Sequence, residues 1–169
     1  MNTNLIFKEL SHNSVIEPEV LSFLLKNDLI VDGASGGIVL GDSHDEGGIF
    51  VIHLTEEGEC KLTYELEGFE FLMNPFGTEE YLRELLNINK ESKNKLIEFE
   101  NYEIPNEVAV VDARTKNING VDYKKVLILS KNPQMVLNKH STLKYLKRLN
   151  EINYNSWPKN ETLNTNQNI

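Results

Sequence analysis

The stretch Gly41-Asp42-Ser43-His44-Asp45-Glu46-Gly47-Gly48 gathers three carboxylates, an imidazole and a hydroxyl into one short loop. Imidazole nitrogen and carboxylate oxygen are ligands that divalent metals take, so Asp42, His44, Asp45 and Glu46 are the metal-binding candidates, with His53 a further donor one strand away. A metal held there would activate water, and a small metal-assisted hydrolase is one reading of the chain. The spacing follows no ligand motif with a mechanical basis, however, and a solvated acidic turn has the same composition. The expectation is therefore a structural turn, with no metal and no other cofactor. Gly47 and Gly48 would supply its positive φ values. A phosphate cradle would want a helix N-terminus and a lysine beside it, and here a strand follows.

A second group of carboxylates, Glu65, Glu67 and Glu70, surrounds Gly68. Alternation along a strand puts Glu65 and Glu67 on one face, away from Leu66. Paired carboxylates can do acid–base work, but the solvent face of a strand reads the same way. No serine or cysteine stands in a nucleophile elbow or beside a base. Cys60, at a hairpin tip among acids, is placed to have little thiolate. With no catalytic constellation in view, a non-enzymatic role is favoured.

These residues need elements to position them, and two stretches organise the chain. Residues 70–89, EFLMNPFGTEEYLRELLNIN, and 134–153, QMVLNKHSTLKYLKRLNEIN, match at an offset of 64 at Asn74/Asn138, Thr78/Thr142, Tyr81/Tyr145, Leu82/Leu146, Leu85/Leu149, Ile88/Ile152 and Asn89/Asn153. They read as an internal repeat of strand, Asn turn, Thr cap and amphipathic helix. His140 has Phe76 as its counterpart, which argues for packing rather than catalysis. Between and before the repeats the pattern predicts a helix over Ser14–Asn27, strands at 29–31 and 38–40, and a hairpin of Ile49–Leu54 and Lys61–Leu66. Strands are also expected at Val108–Asp112 and Val121–Leu129. Residues 1–13 read as irregular, and 90–103 as extending or following the first repeat helix. The fold class is α+β: antiparallel hairpins packed with three to four helices.

The 169 residues can bury a core without staples. The lone Cys60 excludes an internal disulfide, the opening residues lack a signal peptide's pattern, and no run approaches a membrane span. Net charge is −9, distributed unevenly. Residues 1–104 hold 7 Lys and Arg against 21 Asp and Glu, whereas residues 105–150 hold 9 against 3. This suggests an acidic N-terminal lobe (1–104), a basic C-terminal lobe (105–153) and a mobile Asn-rich tail (154–169) from which Trp157 packs back. The basic lobe would offer Lys139, Lys144, Lys147 and Arg148 to a neighbouring subunit, head to tail, or less favourably to nucleic acid.

The run GDSHDEGGIFVI, then YELEGFEFLMN and a helix ending in Ile-Asn, resembles a module of phage and mobile-element proteins. That module has H-x-x-G-G-[IV], then E-x-E-G-G-E-x-[VI]-[IV]-N, then Ser or Thr and a helix. His44, Gly47, Gly48, Ile49, Glu65, Glu67, Gly68, Glu70, Asn74, Thr78, Ile88 and Asn89 match it, and Phe69 stands where the module has its second glycine. The resemblance covers residues 38–89. It implies a virion-associated protein, one module in a larger structural assembly, located in the host cytoplasm or the virion, and it brings no catalytic role. The leading reading is thus a non-enzymatic interaction protein working through other protein subunits. An intracellular immunity-type inhibitor, whose acidic face covers a basic toxin site, is the further alternative.

Overall fold

The structure, a computed structural model, describes residues 1–10, 12–91 and 99–159. It opens with a helix where an irregular segment was expected, α1 (Thr3–Glu9). A seven-residue helix is not stable by propensity; packing holds it. Phe7 is buried, its ring centroid 5.6 Å from that of Phe50. β1 (Val15–Ile16) and α2 (Pro18–Lys26) follow. The helix starts at Pro18 rather than Ser14, because the residue before a proline is driven out of the α region and Pro fits the first turn. Val15 and Ile16 instead pair with Lys61 and Cys60.

β2 (Ile30–Asp32), β3 (Gly37–Leu40), β4 (Ile49–Leu54), β5 (Cys60–Leu66) and β6 (Phe71–Leu72) lie on the apolar runs that the sequence marks out. α3 (Pro75–Glu80) and α4 (Leu82–Ile88) come next, then β7 (Val110–Asp112). The run 121–129 is not one strand. Its first part, β9 (Val121–Tyr123), closes a small hairpin with β8 (Lys116–Ile118), and its apolar part is β10 (Val126–Ile128). β11 (Val136–Leu137), α5 (Lys139–Lys144) and α6 (Leu146–Ser156) complete the order. The first repeat helix is not extended over 90–103 in its described part: α4 stops at Ile88, and Phe99–Asn101 is a separate 3-10 turn. Residues 92–98 lie outside the described residues, as does the tail from residue 160. Residues 154–156 belong to α6 rather than to a mobile tail, and the Trp157 ring stands edge-on to Phe76.

The fold is α+β. A five-stranded sheet has the order β1-β5-β4-β10-β2, and a four-stranded sheet the order β11-β6-β3-β7. Between them lie Val39, Ile49, Val51, Leu66, Leu72, Val111 and Leu127. Outside the first sheet, α1 and α2 bury Phe7, Val20 and Leu24. Against the second, the later helices bury Leu85, Ile88, Leu149 and Ile152 with Phe71 and Leu137. The boundary expected at 104 separates no packing units. β10, apolar on both faces, runs parallel to both β4 and β2 and between them, while β7 pairs with β3 and β11 with β6.

Residues 70–89 and 134–153 trace the same course. A two-residue strand leads to an Asn in extended conformation, a six-residue helix breaks at Tyr81 (φ −113°, ψ 21°) or Tyr145 (φ −115°, ψ 21°), and a second helix follows. β6 and β11 pair antiparallel with Leu72 opposite Val136, its own counterpart at the offset of 64. The helix caps are Asn74 and Asn138, not Thr78 and Thr142. Asn74 Oδ1 accepts from the Gly77 N–H and Asn138 Oδ1 from the Ser141 N–H, each at 2.8 Å, so both helices start a turn earlier than a threonine cap would allow. Thr78 instead accepts from the Met135 N–H at 2.9 Å, and Thr142 donates to the Asn138 carbonyl at 2.8 Å.

The asparagines also bond crosswise. The Asn74 N–H donates to Asn153 Oδ1 at 2.9 Å, and the Asn138 N–H to Asn89 Oδ1 at 2.8 Å. Each cap therefore reaches the helix end of the other segment. Asn74→Ala should cost about 2–4 kcal/mol, from a lost cap plus buried groups left without partners. Asn153→Ala should cost a similar amount, and the double variant should cost less than the sum by about 0.5–3 kcal/mol. Urea unfolding of the four proteins of this cycle measures the coupling. Strict additivity would show that the two side chains act independently.

Candidate functional site

Loop 41–48 joins β3 of one sheet to β4 of the other. Its shape is set locally. The Ser43 hydroxyl donates to Glu46 and the Ser43 N–H reaches the same carboxylate, a capping box over the single 3-10 turn His44–Glu46. Gly47 (φ 106°) and Gly48 (φ 69°) close that turn. From the other side, the Gly68 N–H donates to the Asp42 carbonyl at 3.1 Å, and a Cβ on Gly68 would collide with the Gly41 carbonyl oxygen. Phe69, at the position of the module's second glycine, has φ 69°. The left-handed backbone is thus present, with the ring packed against Phe99 and Tyr102.

His44 is the centre of the side-chain cluster. Its Nδ1 lies 2.5 Å from Glu65 Oε1, its Nε2 3.9 Å from Glu67 Oε1, and its N–H donates to Glu67 Oε2 at 3.3 Å. Glu67 also meets Lys139 Nζ at 3.3 Å. Glu70 accepts from the Glu67 N–H at 2.6 Å. The hydrogen bond to Glu65 raises the His44 pKa above the ordinary imidazole value; partial burial opposes this and the Glu67 charge adds to it. Burial pushes the Glu70 carboxyl above its ordinary value.

The four metal candidates part company. Asp42 pairs with Lys124 Nζ at 3.1 Å, while that ammonium also donates to the carbonyls of Glu46 and Gly48. His44 turns to Glu65 and Glu67, Glu46 folds back on Ser43, and Asp45 is exposed. Among the described residues, no group of three or more His, Cys, Asp or Glu is placed to hold a metal ion. His53 is exposed on β4, and Cys60 is buried with its thiol pKa pushed up by that burial. Lys124 as the loop's pin is not legible in the sequence, because nothing in Lys124-Lys125 distinguishes it from a solvated pair.

The four cations assigned to a partner surface are mostly occupied within the molecule. Lys139 pairs with Glu67, Lys144 with Glu91 at 2.6 Å, and Arg148 with both Glu84 oxygens at 2.9 Å and with Glu151 at 2.7 Å. Only Lys147 of the four is exposed without such a pair among the described residues. Because the strands of residues 105–153 interleave with the earlier ones, the two opposite charges meet inside the fold. No family model, curated protein or solved structure matches this chain. No helix among the described residues is long and apolar enough to cross a membrane.

Two measurements bear on this site. A folded-state pKa raised above the unfolded value adds stability that is complete below the unfolded value and is lost as pH rises through the folded one. The urea midpoint should therefore fall as pH rises from the ordinary imidazole value of 6.5 upward. His44→Gln should flatten that fall, and an unchanged slope would mean that another group titrates. Among glycines, Gly58 (φ 85°) has open space around it, so Gly58→Ala should cost about 1–2 kcal/mol of backbone strain alone. Gly68→Ala, which meets backbone, should cost clearly more by urea unfolding. A neutral Gly68→Ala would show that β3 and the 66–70 turn can separate at no cost.

Proposed function

We propose that this is a non-enzymatic interaction protein that acts through protein–protein surfaces in a larger assembly. The observation that carries this reading is the spending of loop 41–48 on itself. Asp42, Ser43, His44 and Glu46 are each turned to a structural partner, and of the loop's chemically capable side chains Asp45 is the one left to solvent. A histidine bonded in this way fastens a loop. The resemblance of residues 38–89 to the phage and mobile-element module supports an assembly of that origin.

The charge arrangement says what such a partner looks like. With Lys139, Lys144 and Arg148 paired to carboxylates of the first 104 residues, the outward charges are in acidic excess, with Asp45, Glu56, Glu57, Glu79 and Glu80 exposed alongside fewer cations such as Lys26, Arg83, Lys131 and Lys147. A net charge of −9 repels a phosphate backbone at long range, so the partner is a basic protein rather than nucleic acid. The same surface favours the second reading, an intracellular inhibitor or immunity-type protein that covers the basic site of a toxin.

Co-expression with the products of the genes flanking its own tests both readings. A stoichiometric complex with a basic protein should form, and should weaken as salt rises from about 0.1 M to 1 M and the screening length falls from about 10 Å to 3 Å. A virion component as that partner supports the first reading, a toxin the second. Hydrolytic turnover that needs a metal and disappears in His44→Ala would overturn both.

A further inference from the structure

Beside loop 41–48, α1 and β4 frame a groove of about 610 Å³ that shares Glu65, the partner of His44, with the cluster described above. That is the size of a small-ligand or side-chain pocket. Its floor is apolar: Leu5 and Leu10, with the Phe50 ring packed at a tilt against buried Phe7. Leu5 is 60% exposed although the helix that carries it is anchored on its other side by Phe7. The wall is acidic. Asp45, Glu46 and Glu65 line it, and hydrogen bonds from Ser43 lower the Glu46 pKa and keep that carboxylate ionised. Two cations are nearby, but Lys124 is committed to Asp42 and to the Glu46 and Gly48 carbonyls, which leaves Lys8 alone against the wall.

The combination left there is an exposed leucine beside two carboxylates, Asp45 and Glu46, against the one Lys8, since Glu65 is bonded to His44. It fits one kind of occupant, an extended or helical segment with an aliphatic side chain next to a Lys or Arg. The aliphatic group would lie over Leu5, Leu10 and Phe50, the stem of the basic residue along them, and its charged head at Asp45 and Glu46. We infer that this groove is where the protein takes a basic amphipathic segment of its partner. The inference rests on the interaction reading above and gives it an address. An anionic membrane or a nucleic acid would meet the same wall as repulsion.

The probe is a short peptide alternating Lys and Leu, titrated into the intact chain at low salt and followed by amide shifts and calorimetry. A Glu and Leu peptide of equal length serves as control. Shifts should concentrate at residues 4–10 and 45–50, and the control should not bind. Asp45→Asn with Glu46→Gln should weaken binding about tenfold. Glutamine keeps the capping box, so the loop stays folded in that variant. Leu5→Ser, at an exposed position, should weaken binding by a similar factor. Shifts that centre on the acidic hairpin tip at Glu56–Glu59, or affinities that neither variant changes, would overturn the groove. Concentration-dependent shifts at residues 4–10 without peptide would also overturn it, since a second copy would then be the occupant. Failure here and failure of the broader reading look different. A co-expressed partner that binds both variants as well as the parent removes the groove but leaves an interaction protein. The absence of any partner complex removes the interaction reading.

Discussion

Burying an amide side chain costs free energy unless each of its polar atoms finds a partner, and Asn74 is wholly buried. It finds them by capping α3 with its oxygen while its nitrogen donates to the Asn153 backbone carbonyl at 2.7 Å and to Asn153 Oδ1 at 3.0 Å. Asn153 in turn donates to the Ser35 carbonyl, just ahead of β3. A single polar chain thus runs from the start of α3, through Asn153 of α6, to the segment just ahead of the strand from which loop 41–48 departs. The counterpart bonds of Asn138 and Asn89 lock the opposite corner. Apolar packing of Leu85, Leu149 and their neighbours gives this region its stability. The amides give it one register, because a hydrophobic stripe can slide where a bidentate amide cannot.

Charge follows from the same interleaving. Had the chain folded as two successive lobes, one would carry a large negative and the other a positive field. Instead Glu84 and Glu91 face the helices of residues 139–156, and Arg148 is held in a fork by Glu84 while its guanidinium lies 5.7 Å from the Tyr81 ring. Ion pairs this exposed add little stability. Their effect is on the outside of the molecule, where pairing takes up part of the positive charge of residues 105–150 and leaves the negative charge in excess.

Much of this could be read from residue order. The hairpin Ile49–Leu54 and Cys60–Leu66 declares itself by alternation and by the Gly58 turn, and the repeat matches mark both Asn–helix units. The cap was misplaced because Asn and Thr both cap well and only backbone geometry tells which one holds the extended conformation. α1 was missed because its stability comes from Phe50, distant in sequence. The run 121–129 was read as one strand because apolar periodicity does not show that Lys124 and Lys125 turn the chain between sheets. At the site, the sequence put His44 near carboxylates, yet only the fold shows that the partners are Glu65 and Glu67 rather than its loop neighbours Asp45 and Glu46.

β10 has a consequence for how the chain comes to be folded. Until residue 128 has left the ribosome, β4 and β2 each lack the neighbour that fills the space between them, and the first half of the chain presents two raw strand edges. Ligation of that gap requires a segment more than seventy residues downstream of β4, so closure is slow and entropically costly. During synthesis the nascent chain therefore passes through a period in which it can recruit a stray strand, its own or another's. The helices that flank the sheet have to cover it until β10 threads in.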